Sequence, residues 1–218
     1  LAYQADNQLF IHANGDASID MILKAHEYAA KALQQPLDKD RRTVVIHSQF
    51  VRPDQLQTFK KYNIEPSFFT NHAYFWGDVH VENLGKKRAE FLSPIVSADK
   101  LGLKYTNHSD ATVTPIDPIF TLWTAVNRVS RSGKVIGSEQ KASSYQALKS
   151  ITSHAAYQLF EEDSKGTLEV GKVADFVVLD KNPLTVKPMQ IKDIKVVTTI
   201  KNGKPIYQAK SMRWWFKK

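Results

Sequence analysis

The chain has 218 residues, 42% of them hydrophobic, enough to bury one substantial core, and no apolar run approaches the length that crosses a bilayer. Its formal charge of +8 raises the question of nucleic acid, but only the tail with Arg213, Trp214, Trp215, Lys217 and Lys218 interleaves basic and aromatic residues; the other lysines are scattered as on a solvated surface, which argues against nucleic-acid binding. Cysteine is absent, so disulfides and thiolate metal sites are excluded, any metal must be held by His and carboxylate, and cytoplasm and periplasm both stay open.

The first element is the apolar run Leu9 to His12, which ends on a histidine. A Gly-Asp turn follows, with Asp16 as a cap, and then Ile19, Ile22, Leu23, Ala29, Ala30 and Leu33 recur at helical spacing. The same grammar returns at Val44 to His47, where Pro53 suits the first turn of the next helix. It returns again at Ile64 to Thr70, a run ending near His72, and at Leu103 to Thr106, which leads to His108 and Asp110. Helical patterns cover about 117 to 130 and 138 to 160. Beyond residue 160 the texture changes to antiparallel-type β elements, a strand in "ADFVVLD" and a hairpin with Asn202-Gly203 at its turn.

Four strand-helix units, each strand apolar on both faces, argue for a parallel sheet covered by helices. The unit length is that of a (β/α)8 barrel, in which functional residues sit at the C-terminal ends of the strands. His12, His47 and Asp110 would then share one mouth, a ligand set that suits catalytic zinc. A lone histidine at a strand end is ordinarily a polar group closing the strand; several at equivalent positions point to a site. His26 falls on the apolar face of the first helix and reads as a core-edge histidine, while His80 and His154 have no convergent partners in the sequence.

These residues resemble the amidohydrolase superfamily, and specifically amidohydrolase family 3, the group that includes N-substituted formamide deformylases. "HANGDASIDMIL" is similar to the family's His-Ala-x-Gly-Asp motif after the fifth barrel strand, and "IHSQ" to its Glu-His-Ala-Gln motif at the sixth. "HSDATVTPIDPIFTLWTAVNR" resembles the Ser-Asp-x-Pro-Val motif after the eighth strand, and "KGTLEVGKVADFVVLDKNPL" the C-terminal signature. The resemblance implies that His12 and His47 are metal ligands and that Asp110 is both ligand and general base. It implies that His72 steadies an oxyanion, with Trp76 and Asp78 shaping the substrate pocket; wall packing is an equal alternative for Trp76. Ile46 departs from the family's glutamate, and Ala111-Thr112 from the usual following residues.

The family's first-strand His-x-His pair and fourth-strand ligand have no counterpart in the chain. Leucine stands first with no basic-then-apolar leader, so the beginning reads as a cut rather than a start. The expected fold is therefore α/β: residues 1–160 as the C-terminal half of a TIM-like barrel (strands 5–8), and 161–218 as part of a small β-sandwich module. The implied function is that of a metal-dependent hydrolase of C–N bonds, amide or formamide, with one or two divalent ions, zinc first among them, in the full-length parent. Alone, this portion is expected to bind metal weakly and to be inactive. Its expected partners are a small-molecule amide or formamide, the missing N-terminal half, which would cover open sheet edge and apolar surface, and a further copy in a homo-oligomer. The alternative is a non-catalytic regulatory or binding protein built on the same fold.

Overall fold

The computed structural model describes residues 1–210; the basic-aromatic tail lies outside the described residues. The first part of the chain alternates strands and helices: β1 Phe10–Ala13, α1 Asp16–Ala32, β2 Thr43–His47, α2 Pro53–Tyr62, β3 Ile64–Phe68, then α3 Asn71–Leu84, α4 Lys86–Glu90 and α5 Ile95–Lys100 before β4 Thr106–Asn107. The four strands form one parallel sheet in chain order, β1-β2-β3-β4. The short last strand pairs only through Thr106 and Asn107, although the preceding Leu103 and Tyr105 are buried.

Burial explains the apolar runs. One sheet face carries Ala13, Val45, Ile64 and Phe68 into a core with Ile19 and Leu23 of α1 and Leu56 and Phe59 of α2. Each fully buried Leu, Ile or Phe there stabilises the fold by about 1.5–3 kcal/mol relative to exposure. The other face bears a row in register, His12, Ile46, Ser67 and Thr106, in which the Thr106 hydroxyl donates to Ser67 Oγ at 2.7 Å. Asp16 is the first residue of α1 and not its cap: Gly15 takes the cap position, and the Asp16 carboxylate pairs with Arg52 and Arg88. Pro53 opens α2, where its missing N–H costs nothing.

After the sheet come α6 Pro118–Asn127, α7 Ser144–Ser150 and α8 Ser153–Gln158. The helix expected over 138–160 is thus broken into a 3-10 turn at Ser138–Gln140 and two short helices. Ser143 starts α7 afresh with a capping box to Gln146, and Thr152 leaves helical geometry at φ −131°, ψ −95°. Arg128, wholly buried just past α6, donates from Nε to Ile136 O at 2.7 Å and from its Nη atoms to the carbonyls of Leu92 and Ser93. Gly137 lets this region close, because a Cβ there would lie 1.8 Å from Glu90 O and φ is +71°.

The C-terminal β elements form a separate antiparallel sheet of β5 Phe176–Leu179, β6 Val196–Lys201 and β7 Lys204–Gln208. Asn202 and Gly203 both take positive φ at the hairpin turn, as an Asn-Gly pair favours. The 3-10 turn Pro188–Asp193 leans on α6, where Trp123 Nε1 donates to Met189 O and Asn127 to Pro188 O. Among the described residues no helix is long and apolar enough to cross a membrane.

Candidate metal centre

The C-terminal end of the parallel sheet gathers histidines from three of its four strands. His12 lies on β1, His47 closes β2, and His108 and Asp110 follow β4. The rings of His12 and His47 meet edge to face with centroids 4.6 Å apart, and those of His47 and His108 are 4.9 Å apart. Register places His47 opposite Ala13 and not opposite His12, so strict alternation would turn its ring toward the helices. The strand ends instead in left-handed backbone, His47 at φ +70° and Ser48 at +43°, which brings the ring beside His12. Such positions cost a non-glycine residue roughly 1–2 kcal/mol each. Asp110, φ +47°, is a third residue of this kind at the same end.

Burial disfavours the charged form of two of these imidazoles. Burial pushes His47 below the usual histidine range; the neighbouring His12 adds to that, and Asp110 opposes it. His108 is pushed down to about 4, first by burial and then by His47. The backbone N–H of Asp110 donates to His108 Nδ1 at 3.1 Å, so the proton of the neutral ring sits on Nε2. His47 Nδ1 and His108 Nε2 are both buried and find no hydrogen-bond partner among the described residues. A buried nitrogen without a partner is rare enough to call for an explanation; for His47 Nδ1 a lone pair reserved for a metal is one, whereas His108 Nε2 carries the proton and is a donor without an acceptor. In kind, the imidazoles of His12 and His47 with the Asp110 carboxylate fit a divalent ion. In number they fall short: among the described residues no three His, Asp or Glu side chains are arranged to hold one ion by themselves.

His72 belongs to the same neighbourhood but not to a strand end. Strand β3 stops at Phe68, and His72 sits in the first turn of α3, its ring edge-on to Phe69 at 4.7 Å. Burial drives its pKa down to about 3, with smaller contributions from His80, His47 and His108. Trp76, four residues on, packs against the His72 ring at 4.5 Å and faces Phe69 at 6.4 Å. Asp78 lies elsewhere: six residues from His72 is about 600° of helix, and its carboxylate accepts from Ser132 Oγ at 2.7 Å with Lys134 3.9 Å away.

Two residues of the cluster carried no assignment from the sequence. His108 was visible as the end of a run, and its offset of two residues from Asp110 is the signal for the backbone contact. His80 is the larger omission, since it has a convergent partner: its Nε2 lies 3.1 Å from His72 Nδ1. The spacing 72, 76, 80 of two histidines and a tryptophan along one side of a helix could have revealed it. His26 and His154 are core histidines, bonded to Tyr3 OH and Leu37 O, and to Tyr105 O.

Comparison with known proteins accounts for the pattern. A family model described as "Amidohydrolase family" matches residues 1–207. The N-substituted formamide deformylase of Arthrobacter pascens is 25% identical over 196 residues, 89% of this chain and 35% of that protein. The Arabidopsis thaliana protein LONG AFTER FAR-RED 3 is 31% identical over 206 residues, 92% of this chain and 34% of that protein. In structure, an uncharacterized metal-dependent hydrolase from Pyrococcus furiosus superposes with a TM-score of 0.67 at 26% identity, covering 82% of this chain and 34% of that one. The chain thus spans about a third of the length of the relatives it matches. With nearly every residue inside the family match, and with an α/β sheet that gathers its histidines at one end, this chain belongs to the amidohydrolase family.

Proposed function

We propose that the chain supplies one side of the active site of a metal-dependent hydrolase of C–N bonds, amide or formamide, and corresponds to barrel strands 5–8 with part of a small β module from about residue 161. The observation that carries this reading is the buried, unpartnered Nδ1 of His47 beside His12 and within electrostatic reach of Asp110. His12, His47 and Asp110 would hold the ion, zinc being the metal that this His-carboxylate set favours. When bound, such an ion supplies Lewis acidity and brings a water toward a pKa of about 7.

The chain's own residues then divide the work. Asp110 takes the proton of the attacking water as general base. His72, kept neutral by burial, offers a ring N–H to the carbonyl oxygen as it gains negative charge. Phe69 and Trp76 wall the approach and exclude bulk water. Asp78, bonded to Ser132, acts at most as a support at the rim. The remaining ligands and half the pocket wall belong to the part of the relatives that this chain does not span. The surface beside β1 is in keeping with this: β1 is an edge strand, and a groove of about 610 Å³ next to it is lined by Leu9, Ile11, Met21, Ile22, Ala25 and Tyr28.

Hydrolysis of a panel of N-formyl and N-acyl amines, with metal content by elemental analysis, tests the reading on this chain and on a full-length parent. Turnover and stoichiometric metal are expected in the parent and neither in the chain alone. A metal-free, inactive parent would instead favour a non-catalytic protein on the same fold.

A further inference from the structure

The role given to His72 uses one ring nitrogen and leaves the partner of the other unexplained. We infer that His80 is a positioning residue whose Nε2–H donates to Nδ1 of His72, holding the His72 proton on Nε2, the nitrogen turned over to substrate. The inference deepens the reading of His72 as oxyanion donor and rests on it.

The contact is built rather than incidental. His72 and His80 stand on the same side of α3 with rings nearly parallel, 16° apart in plane and 5.3 Å between centroids. Phe69 packs edge-on against His72 at 4.7 Å and Trp76 tilts over it at 4.5 Å, while Phe50 meets His80 edge-on at 5.1 Å. Neither ring is free to turn away. The 3.1 Å separation of His72 Nδ1 and His80 Nε2 requires one proton between them.

Burial keeps both rings below the usual histidine range, so near neutral pH each carries a single proton. Two arrangements satisfy the bond. If His80 donates, both rings are Nε2–H tautomers, the form an isolated histidine side chain prefers. If His72 donates, His80 must accept at Nε2 and carry its proton on Nδ1, so both rings take the less favoured form. The first arrangement incurs no tautomer penalty and the second incurs two, which sets the direction.

The consequence is functional. A ring that accepts at Nδ1 and is protonated at Nε2 has no lone pair for a metal, so His80 keeps His72 out of the ligand set of His12 and His47 and makes it a donor. That is the form an oxyanion requires.

Long-range proton–nitrogen correlation spectra of the ¹⁵N-histidine-labelled chain near neutral pH read the tautomers directly, without metal or substrate. His72 is expected as Nε2–H with Nδ1 shifted as a hydrogen-bond acceptor. His80→Phe keeps an aromatic ring against Phe50 but removes the donor, and should lower the Nε2–H to Nδ1–H ratio of His72 by about 5-fold, the effect of one ordinary hydrogen bond. His80→Gln, whose amide can donate, should restore the ratio, which bulk packing alone would not do. His72 protonated on Nδ1 in the unaltered chain, or a ratio indifferent to His80→Phe, would overturn the inference. Because the spectra need no catalysis, they can fail while hydrolysis by the parent stands, and the reverse.

Discussion

Two nitrogen-rich clusters are buried in this chain, and they are finished differently. Arg128 is wholly enclosed, and Nε, Nη1 and Nη2 each reach a carbonyl, of Ile136, Ser93 and Leu92. At the C-terminal end of the sheet, His47 and His108 are also sequestered, yet His47 Nδ1 and His108 Nε2 reach nothing. Folding alone accounts for the first arrangement, since a buried guanidinium must be satisfied and these carbonyls lock α6 to the segment after α4. It does not account for the second: left-handed backbone occurs in both places, at Arg128 and Ser93 as at His47 and Asp110, but only at the first is it accompanied by hydrogen bonds that satisfy the buried nitrogens. Unpartnered buried nitrogens also occur on Arg41 and Arg42, but those of His47 and His108 belong to rings 4.9 Å apart at one end of the sheet, and that clustering is the mark of a site.

The contrast can be broken most forcefully at Arg128. Arg128→Met leaves several buried carbonyls without donors and should cost about 3–5 kcal/mol of stability in urea denaturation, since each buried acceptor left unsatisfied costs about 1–3 kcal/mol. A cost below about 1 kcal/mol would show that the carbonyl cage is not structural. Glu65, buried in β3 and pushed up to about 8 by desolvation, gives a pH-dependent case. Its folded pKa lies above the unfolded value, so the folded state holds more protons between about 4.5 and 8 and stability falls as pH rises through that window. The slope reaches at most about 1.4 kcal/mol per pH unit, and Glu65→Gln should flatten it and be the more stable protein at the alkaline end. The smallest effect is expected at the site itself. His47→Leu removes a nitrogen that bonds to nothing and should change stability by less than about 1 kcal/mol in either direction. A loss as large as that of Arg128→Met would mean that His47 is structural and would erase the contrast.

The strand ends were legible because a period of apolar residues closed by histidine has few other meanings in an alternating α/β chain. Val44 to His47 and Ile64 onward read directly as neighbouring parallel strands, and Asn202-Gly203 as a hairpin turn. Less legible were features set by local competition. Asp16 and Gly15 both suit a cap, and the salt bridges to Arg52 and Arg88 draw Asp16 into the first turn. The pattern over 138–160 is helical on average, but Ser143 offers a better start and Thr152 a break. At the site, the rings of His12 and His47 meet and Asp110 lies within electrostatic reach of His47, whereas the Asp78 carboxylate bonds to Ser132, a direction its helical phase relative to His72 could have shown. His80 escaped because a histidine within a helix resembles any partly buried polar residue until its neighbour two turns back is placed beside it.

Zinc affinity of the chain, measured by competition with a chromophoric chelator for the unaltered protein and for His12→Ala, His47→Ala and Asp110→Asn, tests the central claim most directly. The account predicts weak binding of a single equivalent, with each substitution lowering affinity by more than the roughly 10- to 100-fold that follows loss of a group merely orienting a ligand. Zinc held with the same affinity by all four proteins would contradict it, because the ion would then sit away from the histidine-lined end of the sheet.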